Sequence, residues 1–243
     1  MGKLLLLPAE VSDLAEILEG QRLAFSDPVE PFFFALFPET ERKENFDQQV
    51  KRTEAWWTGD RSAKYMKVVD EETGRIISAA KWCIYEKPLT EEQMNEELVV
   101  DWHPDAETNE WAQHIIHGVH SHRLRRTEGG VCCVLDMMST HPDHHRRGAA
   151  KILVQWGCDI ADKMCVEAFI EGTAIARRLY ESCGFVATPT DWIFVDVPEK
   201  WKHKPEIKYF FFERQPRARA VENAKNVVKI DVREAVAEEV SET

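Results

Sequence analysis

The chain has 243 residues, 44% of them hydrophobic and 30% charged, with a formal net charge of −12. That make-up suits a globular chain long enough to bury a core, and the acidic balance excludes the basic face of a general nucleic-acid binder. Six cysteines without a CxxC pair read as reduced thiols rather than a secreted disulfide framework.

The opening apolar run Leu4–Leu7 is cut by Pro8 and Glu10, too short for the core of a signal peptide. No stretch reaches the roughly 18 apolar residues of a membrane-spanning helix, so a cytoplasmic protein with no membrane partner is expected. Leu4–Leu7 reads as a strand. Ser12 or Asp13 then caps a helix with an inner stripe at Leu14, Ile17, Leu18, Gln21 and Phe25. Residues 27–38, with three prolines and Phe32-Phe33-Phe34, read as an irregular connection or short helix. A charged helix is predicted over Glu39–Trp57, and strands over Tyr65–Val69 and Ile76–Tyr85 flank a turn to make a hairpin.

Residues 87–130 read as a helical insertion between the third and fourth strands, ending at Gly129-Gly130. Beyond it the pattern sharpens: strand Val131–Thr140, helix Arg147–Lys163 with a stripe at Leu153, Trp156, Ile160 and Met164, strand Val166–Ile170, helix Thr173–Cys183, strand Phe185–Val195, strand Ile207–Phe212. This alternation implies an α/β sheet. Residues 1–214 are expected to form one domain, and 215–243 a polar tail, either one exposed helix or disorder.

The segment His141-Pro-Asp-His-His-Arg-Arg-Gly-Ala-Ala150 joins a buried strand to an amphipathic helix. The first N–H groups of a helix lack internal partners and carry the positive end of its dipole, so a phosphate suits that place. Gly148, Ala149 and Ala150 keep bulk away, while Arg146, Arg147 and Lys151 add positive charge to an acidic chain.

Pro142 followed by His145-Arg146-Arg147-Gly148-Ala149-Ala150 resembles the acyl-CoA loop of the GNAT (Gcn5-related) N-acetyltransferase superfamily, Gln/Arg-x-x-Gly-x-Gly/Ala, with His145 in place of the usual Gln or Arg. Leu179-Tyr180-Glu181 and Gly184-Phe185 match that family's second stretch. With Trp156-Gly157 and Ala161-Asp162, residues 131–195 resemble its fungal small-molecule branch. The resemblance implies an α/β GNAT fold: a central mixed, twisted sheet of about seven strands, splayed at the acyl-CoA site and flanked by helices. It also implies an enzyme that moves an acetyl group from acetyl-CoA to a primary amine of a small molecule, by direct transfer in a ternary complex, without a metal, as a monomer or homodimer.

By the same resemblance, Met138, Ser139 and Thr140 hold the pantetheine arm with their backbones, and His145, Arg146, Arg147, Gly148, Ala149, Ala150 and Lys151 cradle the diphosphate. Thr173 stands where relatives place a cofactor-contacting Asn, although an N-cap is its simpler role. Tyr180 is the candidate general acid, since a phenol stays protonated at neutral pH. Asp136, on the strand face of Met138 and Thr140, is the candidate base, with Glu171 and His141 as rivals.

Eight of the nine histidines lie between 103 and 145. His114, His117 and His120 share a helical face whose spacing permits a metal site, but no familiar ligand pattern completes it. The insertion is expected either to cap an acceptor pocket lined by Trp102, Trp111 and some histidines, or to pack over the sheet edge. Two further readings stay open: a protein or peptide N-acetyltransferase, and a non-catalytic acyl-CoA-binding module of the same fold.

Overall fold

The computed structural model describes residues 2–39, 42–96, 98–187 and 192–217. Most of the expected tail lies outside them. Seven strands run β1 Leu4–Pro8, β2 Ala63–Asp70, β3 Ile76–Tyr85, β4 Cys132–Thr140, β5 Ala168–Gly172, β6 Trp192–Phe194 and β7 Lys208–Arg214. The helices are α1 Leu14–Ser26, α2 Pro31–Leu36, α3 Lys43–Gly59, α4 Glu91–Met94, α5 Ala106–Thr127, α6 Ala149–Met164 and α7 Arg177–Ser182. The strands form one open mixed sheet in the order β1-β2-β3-β4-β5-β7-β6. Its one parallel pair is β4 with β5; all the others are antiparallel. No described helix is long and apolar enough to cross a membrane.

Both faces of the sheet are covered, so its central strands are apolar on both sides. On one face α6 and α7 pack over β2, β3, β4, β5 and β7 through Leu153, Val154, Cys158 and Tyr180. On the other, α5 lays Trp111, Ala112, Ile115, Ile116 and Val119 over Cys83, Val134, Phe169 and Phe211. The insertion between β3 and β4 thus covers a whole sheet face. Asp105 caps α5 by accepting the Thr108 N–H at 2.8 Å, and Arg125 and Arg126 stand at its negative end. Gly118 does not interrupt this helix: a Cβ there would come within 2.6 Å of Val195, so the glycine lets that side chain approach.

The structure moves several predicted boundaries. Strand Phe185–Val195 reduces to β6 and one bridge from Val186 to Glu213, and part of it lies outside the described residues. Helix Thr173–Cys183 divides into a 3-10 turn over Ala174–Ala176 and the short α7. The last of the described strands, β7, lies inside the sheet between β5 and β6.

The buried stripe of α6 is also rotated. Leu153, Val154, Gly157, Cys158 and Ala161 are buried, whereas Trp156, Ile160 and Met164 are only partly so. The fully buried Trp82 of β3 lies against this helix and donates its indole N–H to the Leu153 carbonyl at 3.2 Å. A Cβ on Gly157 would sit 2.2 Å from that ring, so the glycine sets how closely α6 approaches the sheet. Asp162 serves the same packing: its two oxygens accept from Arg214 at 2.8 and 2.7 Å.

An exposed helix interior gains about 1 kcal/mol when Gly becomes Ala. Gly157→Ala is expected to do the reverse and lower unfolding stability by about 2 kcal/mol through overpacking, as read by urea denaturation.

Candidate active site

β4 and β5 pair only over Cys133–Leu135 and Ala168–Ile170. Past the Leu135–Ile170 pair they part, and the next residue on each strand is acidic, Asp136 and Glu171. β4 continues to Thr140 paired with β3 alone, after a register shift opposite Lys81/Trp82. The His141 N–H bonds to the Ile77 carbonyl. By the alternation of an antiparallel ladder, Met138 and Thr140 therefore turn their N–H and C=O groups toward the opening, and Ser139 turns its own toward β3. Ser139 is further committed there, since the Ser78 hydroxyl donates to its carbonyl at 2.7 Å. Of the three residues expected to present backbone groups, the structure brings two to the opening.

The two carboxylates at the fork are held by cations that the sequence pattern did not single out. Asp136 bonds Lys81 of β3 at 2.9 Å and Arg123 of α5 at 2.9 Å. Arg123 also grips Glu171, through Nε at 3.1 Å and through its Nη2. Burial alone would raise the Asp136 pKa, but Lys81 and then Arg123 outweigh it and hold the carboxyl well below its ordinary range. The residue expected to act as base is thus a weak one, with an oxygen given to each of two cations. Glu171 is different. Its pKa is raised, because burial outweighs Arg123, its side chain is only 8% exposed, and its Oε1 has no hydrogen-bond partner.

Between β4 and α6 the chain makes a 3-10 turn over Pro142–His144, then places Arg146 at φ 60° and Gly148 at φ 90°. Left-handed residues in such a turn converge backbone N–H groups into an anion-binding nest. The N–H groups of Ala149, Ala150 and Lys151 precede the first intrahelical bond, from Ile152 to Gly148. A Cβ on Gly148 would meet nothing within 4 Å, so the space before the helix is open. Arg146 and Lys151 are exposed there. Arg147 is not available: it is ion-paired with Asp70 at 2.6 Å and ties the loop to β2. His145 turns its Nε2 to the Thr140 carbonyl at 3.1 Å, so its ring closes the loop.

Tyr180 is buried beneath Gly172, its ring edge-on to Phe212 at 5.1 Å, and it lines the cavity at the opening. Burial and then Cys183 push its phenol pKa up. Thr173 stands at the start of the 3-10 turn, but its hydroxyl makes no capping bond. His141 accepts the Asp143 N–H at 3.3 Å. His114 meets the Asp196 carbonyl at 2.8 Å, and among the described residues no three His, Cys, Asp or Glu side chains form a metal-binding group.

One cavity of about 1650 Å³ runs from the α6 loop, past Met138 and Glu171, to Glu30, Phe32 and Trp56. It exceeds the roughly 300–1,000 Å³ of an ordinary ligand pocket and has room for two substrates. The insertion contributes Ile116, Val119 and His120 to its wall, whereas Trp111 is buried in the core and Trp102 meets Trp56 edge-on at 5.7 Å.

Arg123→Leu is expected to lower unfolding stability by about 3–5 kcal/mol, because two buried carboxylates lose their shared cation, as measured by chemical denaturation. The doubly substituted Arg146→Ala, Lys151→Ala chain should fold normally and bind CoA about tenfold more weakly at low salt, a loss that added salt diminishes. Arg147→Ala should instead lower the melting temperature.

Residues 29–185 match the model of the acetyltransferase (GNAT) family. No curated protein sequence matches the chain. Among solved structures, arylalkylamine N-acetyltransferase 2 from Aedes aegypti superposes with a TM-score of 0.61 at 13% identity, over 88% of this chain and 100% of that one. The Drosophila melanogaster polyamine N-acetyltransferase, which forms N-acetylagmatine, gives 0.57 at 14% identity, over 88% and 100%. A histone acetyltransferase HPA2 and related acetyltransferase from Corynebacterium glutamicum gives 0.53 at 15% identity, over 89% and 98%. At such identities the likeness is one of fold, and the family match carries the assignment. With its seven-stranded open sheet and forked central pair, the chain belongs to the GNAT acetyltransferase family, whose members transfer acetyl groups to amines.

Proposed function

We propose that this chain moves the acetyl group of acetyl-CoA to a primary amine of a small molecule, directly within a ternary complex. The observation that carries this reading is the unpartnered Oε1 of Glu171 at the fork, beside the free backbone edge of β4. Bound acetyl-CoA supplies the acyl group as an activated thioester. Arg146, Lys151 and the N–H groups of residues 146–150 would hold its diphosphate, and the Met138 and Thr140 backbones its pantetheine arm. The open helix end and the one-sided strand both fit such a ligand.

An ammonium must lose a proton before its nitrogen can attack. Glu171 Oε1 accepts that proton, and its raised pKa makes it a stronger base than an ordinary carboxylate. Asp136 orients Lys81 and Arg123 and so keeps Glu171 in place. Tyr180, which burial keeps protonated, offers its phenol proton to the departing thiolate, and the proton that the nitrogen sheds as the amide forms restores the phenol. A small acceptor is favoured because α2, α5, residues 86–90 and residues 98–99 wall the cavity. The solved relatives named for arylalkylamine and polyamine acetylation support the same class. So does the likeness to the fungal small-molecule branch, although Gly157 and Asp162 within it serve packing.

Thiol release from acetyl-CoA should appear with small amines and not with lysine peptides. Glu171→Gln should lower kcat about a hundredfold or more, and Tyr180→Phe should lower kcat with CoA binding retained. Because the working form of Glu171 is deprotonated and its pKa is raised, kcat should fall as pH drops through that pKa. This acidic limb should be missing from Glu171→Gln. A Glu171→Gln enzyme as active as the parent would sink the assignment.

A further inference from the structure

We infer that the acceptor carries a second cationic centre, which the Glu30 carboxylate binds while the reacting amine lies at Glu171. This rests on the reading of the chain as a small-amine acetyltransferase and specifies its substrate.

Glu30 immediately precedes α2 and lines the cavity, half-buried. Its Oε1 accepts from the Tyr209 hydroxyl at 2.7 Å and from the Phe32 N–H at 3.3 Å. Both donors are neutral. No cation of the described residues forms an ion pair with it, and the cations at the fork, Lys81 and Arg123, are taken by Asp136 and Glu171. Glu30 is thus fixed in place without being neutralised. Charges drawn into a protein wall are ordinarily paired, and here the missing partner is a positive charge inside the cavity.

The position of Tyr209 relates the two carboxylates. Tyr209 and Phe211 share a face of β7, and Glu171 lies opposite Phe211 on β5. The buried phenol therefore stands on the same sheet face as Glu171, and its pKa is raised by burial, by Glu30, and further by the Glu171 charge. Glu30 accepts from the hydroxyl at the tip of this ring, and Glu171, with its unpartnered oxygen, lies on the neighbouring strand of the same face. Phe32 packs edge-on to the ring at 5.5 Å and makes the wall beside it apolar. Two carboxylates lining one cavity, with Tyr209 and Phe32 beside the second, fit a linear acceptor with an ammonium or guanidinium at the far end and methylenes between.

The test uses the full chain loaded with CoA, and calorimetric titration with α,ω-diaminoalkanes from diaminopropane to diaminohexane against n-alkylamines of equal length. At least one diamine should bind about tenfold tighter than its monoamine, a difference of ~1.4 kcal/mol. Glu30→Gln should remove that preference and leave monoamine binding unchanged. Equal binding of both series to the parent chain would overturn the inference, with or without a folded variant. So would a Glu30→Gln chain that keeps the preference. Thiol release with monoamines but no diamine preference would leave the acetyltransferase reading standing and refute this one. Diamine binding without thiol release from acetyl-CoA would do the opposite.

Discussion

Two carboxylates meet where β4 and β5 separate, and the rest of the site depends on how that repulsion is resolved. A parallel pair that ran on past Leu135 and Ile170 would bring Asp136 and Glu171 side by side within the sheet. Arg123 reaches down from α5 to bond both, and Lys81 takes the second oxygen of Asp136. Removing Arg123 strands Glu171, and removing Asp136 strands Lys81, which is the costly direction for such networks. The insertion helix is therefore part of the site: it covers one sheet face and supplies the cation at the fork.

Once the strands diverge, chemistry follows from what is left unpaired. β4 keeps β3 on one side and exposes alternate backbone groups on the other. Glu171 gives one oxygen to Arg123 and leaves the other without a hydrogen-bond partner, and its proposed role as base rests on that second oxygen. The loop into α6 uses left-handed residues to turn N–H groups outward. Its second arginine is spent on Asp70, which fixes where those groups point.

Much of this architecture was legible along the chain. The loop could be read because helix N-termini, small residues and exposed basic side chains act locally and in sequence order. Leu179-Tyr180-Glu181 and Gly184-Phe185 were legible for the same reason, and their helix does place Tyr180 at the cavity. Lys81 carries a signal in the sequence: a lone charge inside an apolar strand is rarely idle. Arg123 carried none. On a helix rich in His and Arg, nothing in its spacing separates a side chain that dives to the sheet fork from one that faces water. Glu30 was equally silent, since its meaning comes from Tyr209, far along the chain.

The sequence by itself determined the family, the anion-binding character of the loop into α6 and the order of strands and helices, because these rest on local periodicity and contiguous motifs. It also narrowed the base to a small set containing Asp136 and Glu171. Only the tertiary structure set the two apart, because basicity depends on which cations reach each carboxylate, and those come from β3 and α5. It likewise decided that α6 turns Gly157 toward Trp82 instead of burying Trp156, and that Arg147 braces the loop. Each of these is a contact between residues distant in the chain, and no pattern within one element contains it.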